Sequence, residues 1–230
     1  YYMGHCMNVF KPTEVKMMLS AFSAMETVHM AAYAHLLDTV GLPETEYSEF
    51  LKIKAMRDKY DYLQGCKSDT LHNIAKTVAI CSAFTEGVQL FASFAILLNF
   101  PRHGKMKGMG QIITWSVRDE TLHCSSMIRL FREFIKENPE IWTQRLQNEI
   151  YEACRIAVAQ EDAMIDLSFE QGPLENLKAK DVKQYIRWIA NRRLEQLGLS
   201  KFYNVSKNPL LWLDSILNAV EHMNFFEGRS

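Results

Sequence analysis

The chain contains few of the residues that interrupt regular structure. Ten glycines and six prolines occur in 230 residues, whereas a β-sandwich or barrel needs a turn roughly every 8–12 residues. Charge of one sign is not in excess either, because 26 basic and 27 acidic residues leave a formal net charge of −1. This balance does not indicate a nucleic acid or a membrane as a partner.

Cysteine is also sparse, and its spacing is irregular. The five cysteines are Cys6, Cys66, Cys81, Cys124 and Cys154. An odd number without a CxxC pair argues against a disulfide framework or a thiolate zinc site, and it predicts a reducing cytoplasm. The opening residues YYMGHCMNVF carry no secretory signal, and we interpret the chain as lacking its natural N-terminal residues.

One long apolar run is present, and it contains a single charged residue. Residues 78–98 are long enough to cross a bilayer, but Glu86 lies near their middle. A carboxylate at that depth costs roughly 2.5–3.5 kcal/mol on insertion scales. We therefore expect a helix buried in a protein core and no membrane span.

Apolar residues recur at helical spacing between the few glycines and prolines, and strand-like alternation is absent. The predicted helices are 13–40, 44–64, 68–100, 111–137, 140–171, 179–197 and 209–220. Several of them exceed the usual helix length. We predict an all-α bundle of long antiparallel helices that forms a single domain over residues 1–230.

Polar residues interrupt the apolar stripe of the first long helix. Glu26, His29 and Tyr33 follow one another at steps of three and four, in line with apolar residues on either side. This position should face the core, where an unpaired carboxylate is costly. The side chains therefore require a compensating charge.

The same anomaly occurs in two other helices. Glu120 and His123 form a second Glu-x-x-His pair on an apolar line, and Glu86 interrupts the most apolar helix. Two Glu-x-x-His helices and single glutamates from two others form the di-iron or di-manganese site of ferritin-like bundles. The pattern thus predicts a ferritin-like bundle with a dimetal-carboxylate site in its core.

Charge counting leaves this predicted site one acid short. Three glutamates carry three negative charges and two divalent ions carry four positive ones, so a neutral cluster needs a fourth carboxylate. We identify no fourth acid on a buried line.

At these residues the sequence resembles the radical-generating small subunit of class I ribonucleotide reductase. The resemblance extends over nearly the whole chain. It depends on residues 25–33 (METVHMAAY), 84–87 (FTEG), 117–123 (VRDETLH), 185–194 (YIRWIANRRL) and 208–212 (NPLLW).

The resemblance implies a role for each of these site residues. Glu26, His29, Glu86, Glu120 and His123 would be metal ligands, for two iron ions, two manganese ions or one of each. Tyr33 resembles the tyrosine that is oxidised to a stable radical. Asp119 resembles the acid that orients His29 and takes part in radical transfer.

The resemblance also implies an activity and partners. The radical would pass to the catalytic large subunit, which reduces ribonucleotides to deoxyribonucleotides, and the small subunit would be a homodimer. In the family the fourth carboxylate precedes the first Glu-x-x-His pair, at a position before Tyr1. A C-terminal tail that docks on the large subunit should follow Ser230.

Other interpretations of these residues stay open. The two histidines could be hydrogen-bonded core residues, Tyr33 could be a core tyrosine, and Asp119 could balance Arg118 on a partly wet face. The alternative function is a ferritin-like dimetal oxidase or monooxygenase that acts on a bound organic substrate. Such an enzyme needs a cavity beside the metals.

Overall fold

Helices provide the regular structure in the computed structural model, which describes residues 1–45, 49 and 52–217. They are α1 (Met7–Val9), α2 (Thr13–Val40), α3 (Lys54–Gln64), α4 (Leu71–Ala79), α5 (Phe91–Arg102), α6 (Lys107–Glu137), α7 (Gln144–Ser168), α8 (Ala179–Leu197) and α9 (Leu211–Leu217). Two π-helical turns (Tyr2–Cys6 and Ile80–Thr85) and a 3-10 turn (Pro139–Ile141) complete the list. The described residues contain no strand, so the all-α prediction is confirmed.

Two long helices have the predicted boundaries. Helices α2 and α8 begin and end at the expected residues, and each is followed by a glycine in the left-handed conformation. Gly41 has φ 83° and Gly198 has φ 91°. Only glycine adopts this conformation without a steric cost, which explains why the sequence located both ends.

Other boundaries were predicted less well. The predicted helix 140–171 is shorter, because the Thr143 side chain accepts a hydrogen bond from Leu146 N (3.3 Å) and begins α7 at Gln144. The helix described within 44–64 is Lys54–Gln64, and the one within 209–220 is Leu211–Leu217. Residues 46–48, 50–51 and 218–220 lie outside the described part of the chain.

Helix α6 starts earlier than predicted, because the glycines before Gln111 are inside it. Gly110 lies against α5, and a Cβ atom at this position would lie 2.7 Å from Pro101 Cγ. Pro101 itself is inside α5, which continues to Arg102. These residues therefore permit close packing of two helices, whereas the sequence pattern indicated a loop.

The prediction of one continuous helix over 68–100 is wrong. Helix α4 ends at Ala79, a π-helical turn follows, and α5 begins only at Phe91. Glu86 N donates to Cys81 O (3.1 Å), and Gly87 O accepts from Arg193 Nε (3.0 Å). A Cβ atom at Gly87 would lie 2.7 Å from Arg193 Nε, so glycine allows this contact.

A buried ion pair anchors the backbone that follows the interruption of the α-helix. Lys59 Nζ donates to Gln89 O (3.3 Å) and to the Glu161 carboxylate, which also accepts from Ala92 N (3.3 Å). Glu161 has no exposed surface. Burial raises the pKa of Glu161 to about 7, although Lys59 acts in the opposite direction. No sequence-based prediction included this buried acid, which pairs with a lysine.

Helix α6 occupies the middle of the bundle, where it packs against α2, α4, α5, α8, α9 and the π-helical turn at Ile80–Thr85. The stretch Leu71–Arg102 is long and apolar enough to cross a membrane. However, 67% of its most apolar window is buried inside the protein. It is thus a core segment, as the sequence predicted.

We expect Glu161→Leu to lower the free energy of unfolding by about 3 kcal/mol, because Lys59 keeps a largely buried charge without its partner. The double variant Lys59→Met/Glu161→Leu should recover most of this loss, and urea denaturation measures both. Glu152→Ala, at the exposed Glu152–Arg155 pair, is the control and should change little. Equal losses in the single and double variants would contradict the assignment.

Candidate metal centre

Three parts of the bundle carry the predicted ligands to one place. Helix α2 provides Glu26 and His29, helix α6 provides Glu120 and His123, and the turn after the π-helical segment provides Glu86. In both helices the glutamate and histidine are three residues apart, so the two side chains lie on the same face.

The five side chains converge in space. Glu26, Glu86, Glu120 and His123 each offer one ligand atom, and these four atoms lie within 4.8 Å of one another. His29 Nδ1 lies 3.4 Å from Glu26 Oε2 and 3.4 Å from Glu120 Oε1. The structure therefore brings together all five residues that the sequence singled out.

Several atoms of this cluster are buried without a hydrogen-bond partner. They are Glu86 Oε2, Glu120 Oε2, His123 Nδ1 and His123 Nε2. His123 Nδ1 does lie 3.1 Å from Glu26 Oε1, but the direction does not suit a hydrogen bond. Buried polar atoms are rarely left unpaired. Carboxylate oxygens and imidazole nitrogens are suitable ligands for iron or manganese, so the residues present fit a metal centre.

The pKa values reflect the crowding of acids. Burial raises the pKa of Glu86 to about 8. Contact with Glu120 and Glu26 raises the pKa of His29 to about 10. For His123, burial lowers the pKa, but the nearby carboxylates outweigh it and the pKa rises to about 9. The cluster thus attracts positive charge.

The cluster is less buried on one side than the sequence analysis expected. Glu120 and His123 are buried, but the Glu26 side chain is 38% exposed. The apolar stripe predicted an inward-facing Glu26, and the structure corrects this to a position at the edge. Among the described residues, the centre is open to solvent beside α2.

Asp119 contacts His29, the residue that it orients according to the resemblance. Its Oδ2 atom lies 2.9 Å from His29 Nε2, while His29 Nδ1 faces Glu26 and Glu120. A hydrogen bond at one imidazole nitrogen sets the tautomer and directs the other nitrogen. Asp119 is therefore placed to orient His29.

Tyr33 is half-buried on α2, one turn beyond His29. Ser116 on α6 interacts with its phenol. Burial raises the pKa of Tyr33, Ser116 lowers it, and Glu120 and Glu26 raise it further. The last two influences place the phenol near the carboxylates.

Two aromatic residues at the centre were not predicted as site residues. The ring centroid of Phe22 lies 4.3 Å from that of His123. Tyr2 donates its hydroxyl hydrogen bond to Glu86, and burial raises the pKa of the phenol. Phe22 precedes Glu26 by one turn on the same stripe, which was a usable signal. Tyr2 lies outside the long helices, so no periodicity indicated it.

An all-α bundle with carboxylates and histidines gathered between its helices defines the ferritin-like class of proteins. The family model "Ribonucleotide reductase, small chain" matches residues 1–209 of this chain. The chain belongs to the ribonucleotide reductase small chain family. The family and the potential carboxylate–histidine site together suggest a dimetal centre.

Individual relatives agree with this family. The chain is 46% identical, over 97% of its length, to a "probable ribonucleoside-diphosphate reductase small subunit" of Invertebrate iridescent virus 3. It is 32% identical, over 89% of its length, to the ribonucleoside-diphosphate reductase subunit beta of Chlamydia pneumoniae. The chain spans 64% of the viral relative and 62% of the bacterial one.

A solved structure shares the fold. The ribonucleotide reductase R2 subunit from Clostridium botulinum superposes with a TM-score of 0.82 and 24% sequence identity. The match covers 89% of this chain and 67% of that one. The predicted ferritin-like bundle is thereby confirmed.

We expect Glu86→Gln to weaken metal binding at least tenfold, because it removes one anionic ligand from the cluster. Anaerobic titration of the full-length protein with Mn²⁺ or Fe²⁺ measures the stoichiometry, and the metal-induced rise in Tm reports the affinity. Glu133→Gln, at an exposed glutamate paired with Lys136, is the control. An unchanged metal affinity in Glu86→Gln would refute this ligand role.

Proposed function

We propose that this chain is the radical-generating subunit of a class I ribonucleotide reductase. The main support is that one ligand atom from each of Glu26, Glu86, Glu120 and His123 lies within 4.8 Å of the others, in a chain of this family. His29 contacts two of these glutamates, and Tyr33 lies one turn beyond it. Substrate reduction would take place on the large subunit.

Two iron ions, two manganese ions or one of each would be held by Glu26, His29, Glu86, Glu120 and His123. When bound, such a centre would use dioxygen or a related oxidant to supply the oxidising power for radical formation. The three glutamates carry one negative charge too few for two divalent ions, so one further anionic ligand is expected.

The residues around the centre would hold and protect the radical. Tyr33 would lose an electron and its phenolic proton, and the Ser116 hydroxyl and the carboxylates of Glu120 and Glu26 all influence this phenol. Phe22 covers His123 and Tyr2 holds Glu86, which limits access of water from that side. Asp119 would orient His29 and connect it to the transfer route.

The expected partners are the large catalytic subunit and a second copy of this chain. Large apolar side chains are exposed on α2 and α6, among them Val28, Met30, Trp115 and Leu122. Such a surface favours association with another protein. The free cysteines are compatible with a reducing cytoplasm.

The alternative, an oxidase or monooxygenase with an organic substrate, is not favoured. The family and the named relatives indicate the reductase subunit. Cavities of about 570 and 510 Å³ are present, but residues outside the five-residue cluster line both. They offer no substrate chamber beside the candidate ligands.

We expect Tyr33→Phe to abolish the tyrosyl signal in electron paramagnetic resonance, because phenylalanine has no oxidisable phenol. The full-length protein would be loaded with metal without oxygen and then exposed to it. Tyr60→Phe, at an exposed tyrosine of α3, should keep the signal. An unchanged tyrosyl signal in Tyr33→Phe would overturn the assignment of the radical.

We expect Asp119→Ala to retain the metal ions and the tyrosyl signal but to reduce ribonucleotides at least tenfold more slowly with the large subunit. The side chain holds His29 through a hydrogen bond that alanine cannot make. The comparison variant is Asp38→Asn, at an exposed position near the end of α2. Wild-type turnover by Asp119→Ala would exclude a role in transfer.

A further inference from the structure

One cysteine lines a solvent-connected cavity, and a second one is buried next to a residue of the cavity wall. Cys66 follows α3 and is half-buried, whereas Cys81 is buried in the π-helical turn Ile80–Thr85. Ile80, the residue before Cys81, lines the same cavity as Cys66, and each thiol affects the pKa of the other. Cys66 lines a cavity of about 510 Å³, which gives its sulfur a route to solvent.

Positive and hydrogen-bonding groups surround the Cys66 sulfur. The pKa of Cys66 falls to about 7, mainly because of the hydrogen bond with Cys81. Burial opposes this change, while Thr77 and Lys76 favour the thiolate. The Thr77 hydroxyl donates a hydrogen bond to Lys67 O (2.6 Å).

The other charged and titratable groups near this thiol come from α3, α4, the segment between them and α7. Asp61, Tyr62 and Lys67 line the same cavity. Lys76 also forms an ion pair with Glu149 Oε2 (3.1 Å). Two lysines therefore face one aspartate across the cavity, which leaves the surroundings favourable for a thiolate.

The remaining cysteines have a different environment. Cys6, Cys124 and Cys154 are all buried. Burial raises the pKa of Cys6 and Cys124 to about 11 and that of Cys154 to about 12. A thiol of this kind is inert near neutral pH, because the thiolate is the reactive species.

We propose that Cys66 and Cys81 are a reversible redox pair, in which Cys66 is the site that reacts with a hydroperoxide entering the cavity. An accessible attacking thiol beside a second, resolving thiol is the arrangement that such chemistry needs. The pair does not overlap the candidate metal ligands, and the proposal does not depend on their function.

Hydrogen peroxide serves as the oxidant in this reaction. The Cys66 thiolate attacks one peroxide oxygen, the O–O bond breaks, and hydroxide leaves and is protonated to water. The Cys81 sulfur then attacks the sulfenic sulfur of Cys66, the S–O bond breaks, and a second water forms with the Cys81 proton. Two thiols are oxidised to one disulfide, one peroxide is reduced to two waters, and a dithiol reverses the oxidation by exchange.

Peptide mapping under non-reducing conditions tests the pair. The full-length protein, with a chelator present, would receive one equivalent of hydrogen peroxide at pH 7. We expect a Cys66–Cys81 cross-link that dithiothreitol removes. In Cys81→Ser the cross-link should be replaced by a dimedone adduct on Cys66, whereas Cys154→Ser should behave as wild type.

Alkylation of the unmodified wild-type protein gives a second test, which does not depend on any variant folding. Iodoacetamide should modify Cys66 at least about tenfold faster than Cys154 at pH 7, and the rate at Cys66 should rise through pH 7 as the thiolate forms. Equal rates at the two cysteines would overturn the proposal. A peroxide-induced Cys6–Cys81 cross-link in place of Cys66–Cys81 would overturn it as well.

Discussion

The mutual repulsion of acids in a small, largely buried volume is the constraint on which this structure depends. Glu86 and Glu120 each have a buried oxygen atom without a hydrogen-bond partner, and both ring nitrogens of His123 are also buried without one. A protein core does not tolerate such groups without compensation. Bound cations would satisfy them, and the family of the chain indicates the same solution.

The scaffold departs from regular helical geometry where it carries the third glutamate. A continuous helix over 68–100 would have been locally simpler, but the chain changes to a π-helical turn before Glu86 and resumes an α-helix only at Phe91. Gly87 has no side chain and so allows Arg193 to approach closely. The Lys59–Glu161 pair forms hydrogen bonds with the backbone groups Gln89 O and Ala92 N. Irregular backbone of this kind is common where a helix serves a site.

Sequence reasoning succeeded where a signal was local. The ends of α2 and α8 were marked by Gly41 and Gly198, and the apolar character of 78–98 correctly indicated a core segment. Glu-x-x-His spacing placed two ligand pairs on single helix faces. It failed at Glu161, which lies on a buried line of α7 in the same way as the other acids but meets a lysine from α3.

By itself, the sequence determined the helical class, the boundaries of α2 and α8 and the set of five convergent residues, because periodicity and capping depend on neighbours along the chain. Only the tertiary structure decided which acid meets which partner. Tyr2 reaches Glu86 from outside the long helices, and Lys59 on α3 meets Glu161 on α7. Such contacts form when distant segments pack together, and no spacing along the chain encodes them.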